Sequence, residues 1–241
     1  MTRVGSGSDS RNSHQPAATG TENLEVMSDA RRYLAHIGSL VANELPAQGK
    51  ILEFGSGNGV QTTHVNVAKT RITCVEIDAT QRTRLTESGF SAVNDLNELA
   101  NESFAGAFSI NCLEHVPDDV SVLKEIHRVL PPGAPLVLFV PAFPMLYTSM
   151  DARVGHVRRY RRCELVEKLE SAGYVVERCR YVDSLGFVLS LLYRILRLRA
   201  GAPSALSVKL FDNVIFPMSS YLDRPLHRVL GKNLFVVGRR S

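Results

Sequence analysis

The sequence predicts a doubly wound α/β domain, a mostly parallel sheet with helices on both faces. Two observations predict it. Short apolar runs alternate along the chain with stretches of helical spacing, and most of these runs are apolar on both faces, as strands of a doubly covered sheet are. A late run, NLFVVGRR at 233–240, returns to the strand pattern after a long interruption.

Taken in order, a helix is expected over about 27–45, with Ser28 as N-cap and Pro46 as stop. ILEF (51–54) reads as a buried strand ending in Gly. Gly55-Ser56-Gly57-Asn58-Gly59 turns the chain into a helix. RITCVEID (71–78) is a second strand, followed by a polar helix to about Ser88. SAVN (91–94) and AFSINCL (107–113) are the third and fourth strands. Pro117-Asp118-Asp119 opens a helix whose stripe is Val122, Leu123, Ile126, Val129 and Leu130, and Pro131-Pro132-Gly133 breaks it. PLVLFVPA (135–142) is the fifth strand, 164–172 a helix closed by Gly173, and 175–182 the sixth strand.

The expected organisation is a tail over 1–24, a main domain over 25–183 plus 233–241, and a helical insert over 184–232. The tail is rich in Ser, Gly, Thr and Asn and lacks the apolar core of a secretion signal. At 241 residues and 44% hydrophobic, the chain suits one domain with an appendage and can bury its core without disulfides. The cysteines Cys74, Cys112, Cys163 and Cys179 form no CxxC pair, so a zinc or redox motif has no support and no metal is expected. Scattered cysteines fit a reducing cytoplasm. The formal charge of +4 does not call for nucleic acid. The longest apolar run, 185–193, is interrupted by Ser190 and stopped by Arg194, short of the roughly 20 residues a membrane span needs.

In open α/β sheets a ligand sits beyond the carboxyl ends of the strands at the switch point, here the turn after the first strand. The glycine spacing is Gly55-x-Gly57-x-Gly59, whereas a dinucleotide fingerprint wants a glycine at 60, where this chain has Val60. Glu53, just before the turn, would repel a pyrophosphate and suit an ammonium group. Glu76, in the second strand, lies where a carboxylate accepts both ribose hydroxyls.

LEFGSGNG, CVEID, FSINCLEHVPDD and HRVLPPGAPLVLFVPA, in that order, resemble the motifs of class I S-adenosylmethionine (SAM) methyltransferases. The resemblance covers about 27–182 plus the last strand. Within that class it is nearest to a bacterial small-molecule branch with LEHVPDD and a later GHxRRY element, here Gly155 to Tyr160. The resemblance implies a seven-stranded Rossmann-like sheet with its last strand antiparallel, and SAM as cofactor. It implies that Glu53, Gly55, Ser56 and Gly57 line the methionine end, that Glu76 holds the ribose and that Ile77 packs on adenine. It places Asp95 on the adenine amino group with Leu96 beside it, and the backbone of Asn111, Cys112 and Leu113 near the sulfonium.

On the acceptor side, His156, His115 and Tyr160 are the candidate catalytic groups, with a histidine as general base if the acceptor is a hydroxyl. Arg158 and Arg159 belong to a basic loop that reads either as a clamp for an anionic acceptor or as arginines paired with nearby acids. The segment 184–199 carries Leu185, Phe187, Leu189, Leu191, Leu192, Ile195 and Leu196 beside Arg194, Arg197 and Arg199. It reads as a helix buried against the domain or a second copy, or as a lid or peripheral membrane contact. The expected activity is methyl transfer to a small-molecule acceptor, anionic or amphiphilic, at oxygen, in a cytoplasmic enzyme able to sit at a membrane. An NAD-dependent oxidoreductase and a non-catalytic cofactor-binding module are the competing readings. Val60 and Glu53 oppose the first, and the retained Glu53, Glu76 and Asp95 oppose the second.

Overall fold

A computed structural model describes residues 29–196 and 205–241. The expected tail, the Ser28 cap, and Arg197 and Arg199 lie outside them. Seven strands form one sheet in the order β3-β2-β1-β4-β5-β7-β6. They are β1 (Ile51–Phe54), β2 (Ile72–Val75), β3 (Ser91–Val93), β4 (Gly106–Ile110), β5 (Pro135–Pro141), β6 (Tyr174–Val182) and β7 (Asn233–Arg240). β1 to β5 pair in parallel, while β7 runs antiparallel between β5 and β6. The sheet is the doubly wound, mostly parallel arrangement that the alternation predicts.

The two faces explain why the strands read as continuous apolar runs. In β5, Leu136, Leu138 and Val140 face one core while Val137 and Phe139 face the other. The first core is covered by α4 (Asp119–Val129) and α6 (Arg162–Ser171), which contribute Leu123, Ile126, Val129, Leu165 and Leu169. Each fully buried aliphatic side chain there contributes about 1.5–3 kcal/mol. The second core is covered by α1 (Arg31–Ala42) through Tyr33, Ile37 and Val41. The remaining short helices are α2 (Val60–His64), α3 (Ala79–Glu87) and α5 (Ser149–Arg153).

Between β6 and β7 lie α7 (Ser184–Ile195), α8 (Ala205–Leu210), a π-helical stretch Phe211–Ile215 and α9 (Phe216–Leu226). Polar contacts fasten these to the domain. The Asp212 carboxylate accepts from the backbone of Arg32 and Tyr33, at 3.1 and 2.9 Å, and so caps α1 from the insert. Asp223 accepts from the backbone of Asp183 and Ser184, at 2.8 Å each, at the start of α7. Phe216 packs edge-on against Tyr33, 5.1 Å between ring centroids.

Candidate functional site

The carboxyl ends of the neighbouring strands β1, β2 and β4 bring the predicted cofactor residues to one edge of the sheet. Gly55 has φ +77, and a Cβ there would lie 1.9 Å from Cys112 Sγ, so only glycine lets the turn after β1 pass the end of β4. Glu53 is 1% exposed. Its Oε2 accepts from Thr62 Oγ1 at 2.7 Å and from Cys74 Sγ at 3.6 Å. Burial pushes its pKa up to about 7, against the hydrogen bond from Thr62. A buried carboxylate with no cation beside it gains from a ligand ammonium. The neighbouring Ser56 is also buried, and its hydroxyl, like that of Thr62, favours the charged form of Glu53.

Glu76 follows β2, and its carboxylate is oriented by two backbone donors. Gly57 N donates to Oε2 at 2.7 Å and Asp78 N to Oε1 at 2.9 Å. A carboxylate has about four lone-pair sites, so capacity for two hydroxyls remains. Ile77, next to Glu76 in the chain, is an apolar side chain that is 82% exposed. Asp95 is exposed and caps the turn Leu96–Glu98 in a capping box with Glu98. The side chain of Leu96 is buried in the core, so what it can offer a ligand beside Asp95 is its backbone. Asn111 is exposed with φ +49, and Leu113 is buried, leaving its backbone for the crevice. The residues fit the cofactor: a buried acid for its ammonium, an oriented acid for its ribose, and a cradle that a Cβ would fill.

The acceptor side is built by the turn Leu113–His115 after β4 and the loop after β5. Val157 N donates to Glu114 O at 2.9 Å, and an isolated bridge joins Ala142 to Tyr160, so the loop is laid against the turn. His156 is held by Asp151, with Nδ1 to Oδ1 at 2.9 Å. An ionised carboxylate only accepts, so Nδ1 carries the proton and Nε2 faces Glu114 Oε1 at 3.6 Å. Burial would raise the Asp151 pKa. The hydrogen bonds from His156 and Arg159, and the Arg159 charge, hold it well below the ordinary carboxylate range. The His115 ring stands edge-on to His156, 4.7 Å between centroids. Lost solvation of that ring, then the proximity of His156, lowers the His115 pKa to about 4, against a backbone hydrogen bond at Gly155. At neutral pH His115 is therefore an uncharged imidazole.

Three acceptor-side expectations need correction. Tyr160 is fully buried, and its hydroxyl donates to Asp119 Oδ2 at 2.9 Å. Burial and that carboxylate push its pKa far above the ordinary phenol value, so it acts as a brace and not as a base. Arg158 donates to Asp119 Oδ2 at 2.7 Å and to Pro117 O at 2.6 Å. Arg159 is nearly buried and holds Asp151 with two nitrogens, at 2.7 and 3.1 Å. Both guanidiniums are committed to internal acids, so neither is a ready clamp for an anion. Asp119, which also receives Lys168 Nζ at 2.6 Å, gathers this bracing at the start of α4.

Sequence reasoning missed the roles of Glu114, Asp119 and Asp151. Glu114 and Asp119 stand inside LEHVPDD and Asp151 precedes GHxRRY, but each takes its role from a partner in another element.

Residues 52–138 match the family described as Methyltransferase domain. Similar solved structures include geranyl diphosphate methyltransferase in complex with SAM, at 15% identity over 93% of this chain and 92% of that one, with a TM-score of 0.62. A SAM-dependent methyltransferase from Thermotoga maritima matches at 17% identity over 92% and 95%, with a TM-score of 0.61. The [4+2]-cyclase SpnF matches at 21% identity over 86% and 81%, with a TM-score of 0.57. At such identities the structures share the fold, and fold alone does not assign an acceptor. Residues 52–138 therefore carry a methyltransferase domain, set in the fold that these SAM-dependent enzymes share.

Proposed function

We propose that the protein transfers the SAM methyl group to the oxygen of a small-molecule acceptor with an apolar body. One observation carries the reading: the neutral His115 and the Asp151-anchored His156 stand together directly beyond the carboxyl end of β4, beside the cofactor edge. In this assignment Glu53 receives the methionine ammonium, Glu76 the ribose hydroxyls, Ile77 packs on adenine and Asp95 meets its amino group. Cys112 and the backbone of Asn111 and Leu113 flank the sulfonium. SAM supplies a methyl group already activated for in-line displacement, so the chain has to exclude water, align the acceptor and remove its proton. An imidazole uncharged at neutral pH can accept that proton.

The apolar body of the acceptor is supported by what borders this corner. Phe143, at the end of β5 with φ +59, stacks on Tyr181 at 4.8 Å and meets Phe187 of α7 at 5.0 Å. Met145 and Val157 are about half exposed nearby in the same loop, and α7 shows Leu189 and Leu192 to solvent. We read α7 as the edge over which an amphiphilic acceptor is presented, in a cytoplasmic enzyme able to touch a membrane. Among the described residues, no helix is long and apolar enough to cross a membrane.

The test is calorimetry with SAM and with NAD, followed by methyl-transfer assays on an acceptor panel. SAM binding without NAD binding is expected. His115→Ala and His156→Ala should each lower kcat by roughly 10²–10⁴-fold if they act on the acceptor proton. Unchanged turnover in both variants would sink that role.

A further inference from the structure

We propose that Glu114, His115 and His156 hold a divalent transition-metal ion on the acceptor side of the methyl donor. One donor atom from each residue lies within 4.8 Å of the other two.

The second observation is the state of Glu114. It is 0% exposed; beyond its own backbone N–H and the charge of Arg159 at a distance, no described residue donates a hydrogen bond to its carboxylate. A buried carboxylate partnered so sparsely demands a cation or a donor. His156 Nε2 lies 3.6 Å from Glu114 Oε1. That is too long for a hydrogen bond. It is close to the roughly 3.4 Å that separates two ligands of one tetrahedral ion with bonds of about 2.0–2.2 Å. To reach that spacing from within 4.8 Å, His115 has to close by on the order of 1 Å.

The surrounding groups match a metal site. His156 gives its other ring nitrogen to Asp151, the carboxylate–histidine arrangement that fixes ligand orientation and raises basicity. Arg159 in turn fixes Asp151. Two imidazoles and one carboxylate suit zinc, iron(II), cobalt or manganese better than magnesium or calcium, which prefer oxygen. Three protein ligands leave an open position for the acceptor.

The role of the ion rests on the methyl-transfer reading above; its binding does not. Bound at the open position, the acceptor hydroxyl loses its proton to solvent more readily. The oxygen lone pair forms the C–O bond as the methyl–sulfur bond breaks, and the neutral thioether product leaves. With the ion in place the two imidazoles serve as its ligands, and the proton that they accept in the metal-free site passes to solvent instead.

The experiment strips the full-length protein with EDTA and titrates it with Co²⁺, following visible absorption and metal content after gel filtration. One tightly held Co²⁺ per chain is expected. Glu114→Gln and His156→Ala should each weaken it on the order of 100-fold. Glu114→Gln is nearly isosteric and carries the test should His156→Ala fail to fold. Absence of stoichiometric Co²⁺ in the wild type, or equal affinity in wild type and Glu114→Gln, overturns the site. Calorimetry with SAM on the stripped wild type separates the two ideas. SAM binding without Co²⁺ binding sinks the ion alone, whereas Co²⁺ binding without SAM binding sinks the functional reading and keeps the ion.

Discussion

Glu53 illustrates how one buried group ties stability to ligand binding. Burial raises its folded pKa to about 7, above the ordinary 4.5 of a glutamate. The folded state therefore holds the proton more tightly than the unfolded state. Stability from this group is fully present below pH 4.5 and is lost as pH rises through about 7, a change of roughly 3 kcal/mol. In the proposed assignment the ammonium of SAM needs the charged form, so affinity should run the other way and rise as pH rises through 7. Glu53→Gln should flatten both profiles and weaken SAM binding by roughly 10–100-fold, the worth of a hydrogen bond between charged groups. Urea unfolding and calorimetry across pH 5–8 check both, and a retained pH slope in the variant would refute the assignment. Gly55→Ala acts by shape: its Cβ would collide with Cys112 Sγ at a backbone angle that L-residues avoid. It should abolish SAM binding, which the same calorimetry reads.

Helix α1 shows why an element cannot always be judged from its own residues. Its N-cap position is Ala30, which offers no side-chain acceptor. The cap comes instead from Asp212, which is 4% exposed and lies in the π-helical stretch of the insert. Asp212→Ala should cost about 1–2 kcal/mol, as cap removals do. For a domain of this size that lowers Tm by roughly 2–8 °C, measurable by thermal denaturation. An unchanged Tm would mean that the insert does not stabilise the domain through this contact. The same contact explains how a segment with so many exposed apolar residues keeps a defined place against the sheet.

For the whole molecule, the surface that stands out is the insert. Leu189, Leu192, Ile195 and Leu196 in or next to α7, and Leu206, Leu210, Val214 and Met218 farther on, are each more than two-fifths exposed. An exposed apolar area of this kind marks a contact surface. On the amphiphilic-acceptor reading it meets a lipid interface. The wild type should therefore co-float with vesicles of phosphatidylglycerol and phosphatidylcholine, and a Leu192→Asp/Ile195→Asp variant should remain in the aqueous fraction. Equal partition of both proteins would remove the membrane role.

The sequence by itself determined the α/β class, the strands and the glycine turn with its flanking acids, because periodicity and turn chemistry are local. ILEF, the 55–59 turn and PLVLFVPA could be read without knowing their neighbours. Tertiary structure decided what lies next to what. It placed β7 between β5 and β6, sent Leu96 into the core, and turned Arg158 and Arg159 onto Asp119 and Asp151. It also brought Glu114 to His156 and Asp212 to Tyr33. These pairings span from eight residues of chain to nearly two hundred. A side chain's charge and hydrogen-bonding needs are written in its identity, but the group that meets them is chosen only when the sheet closes.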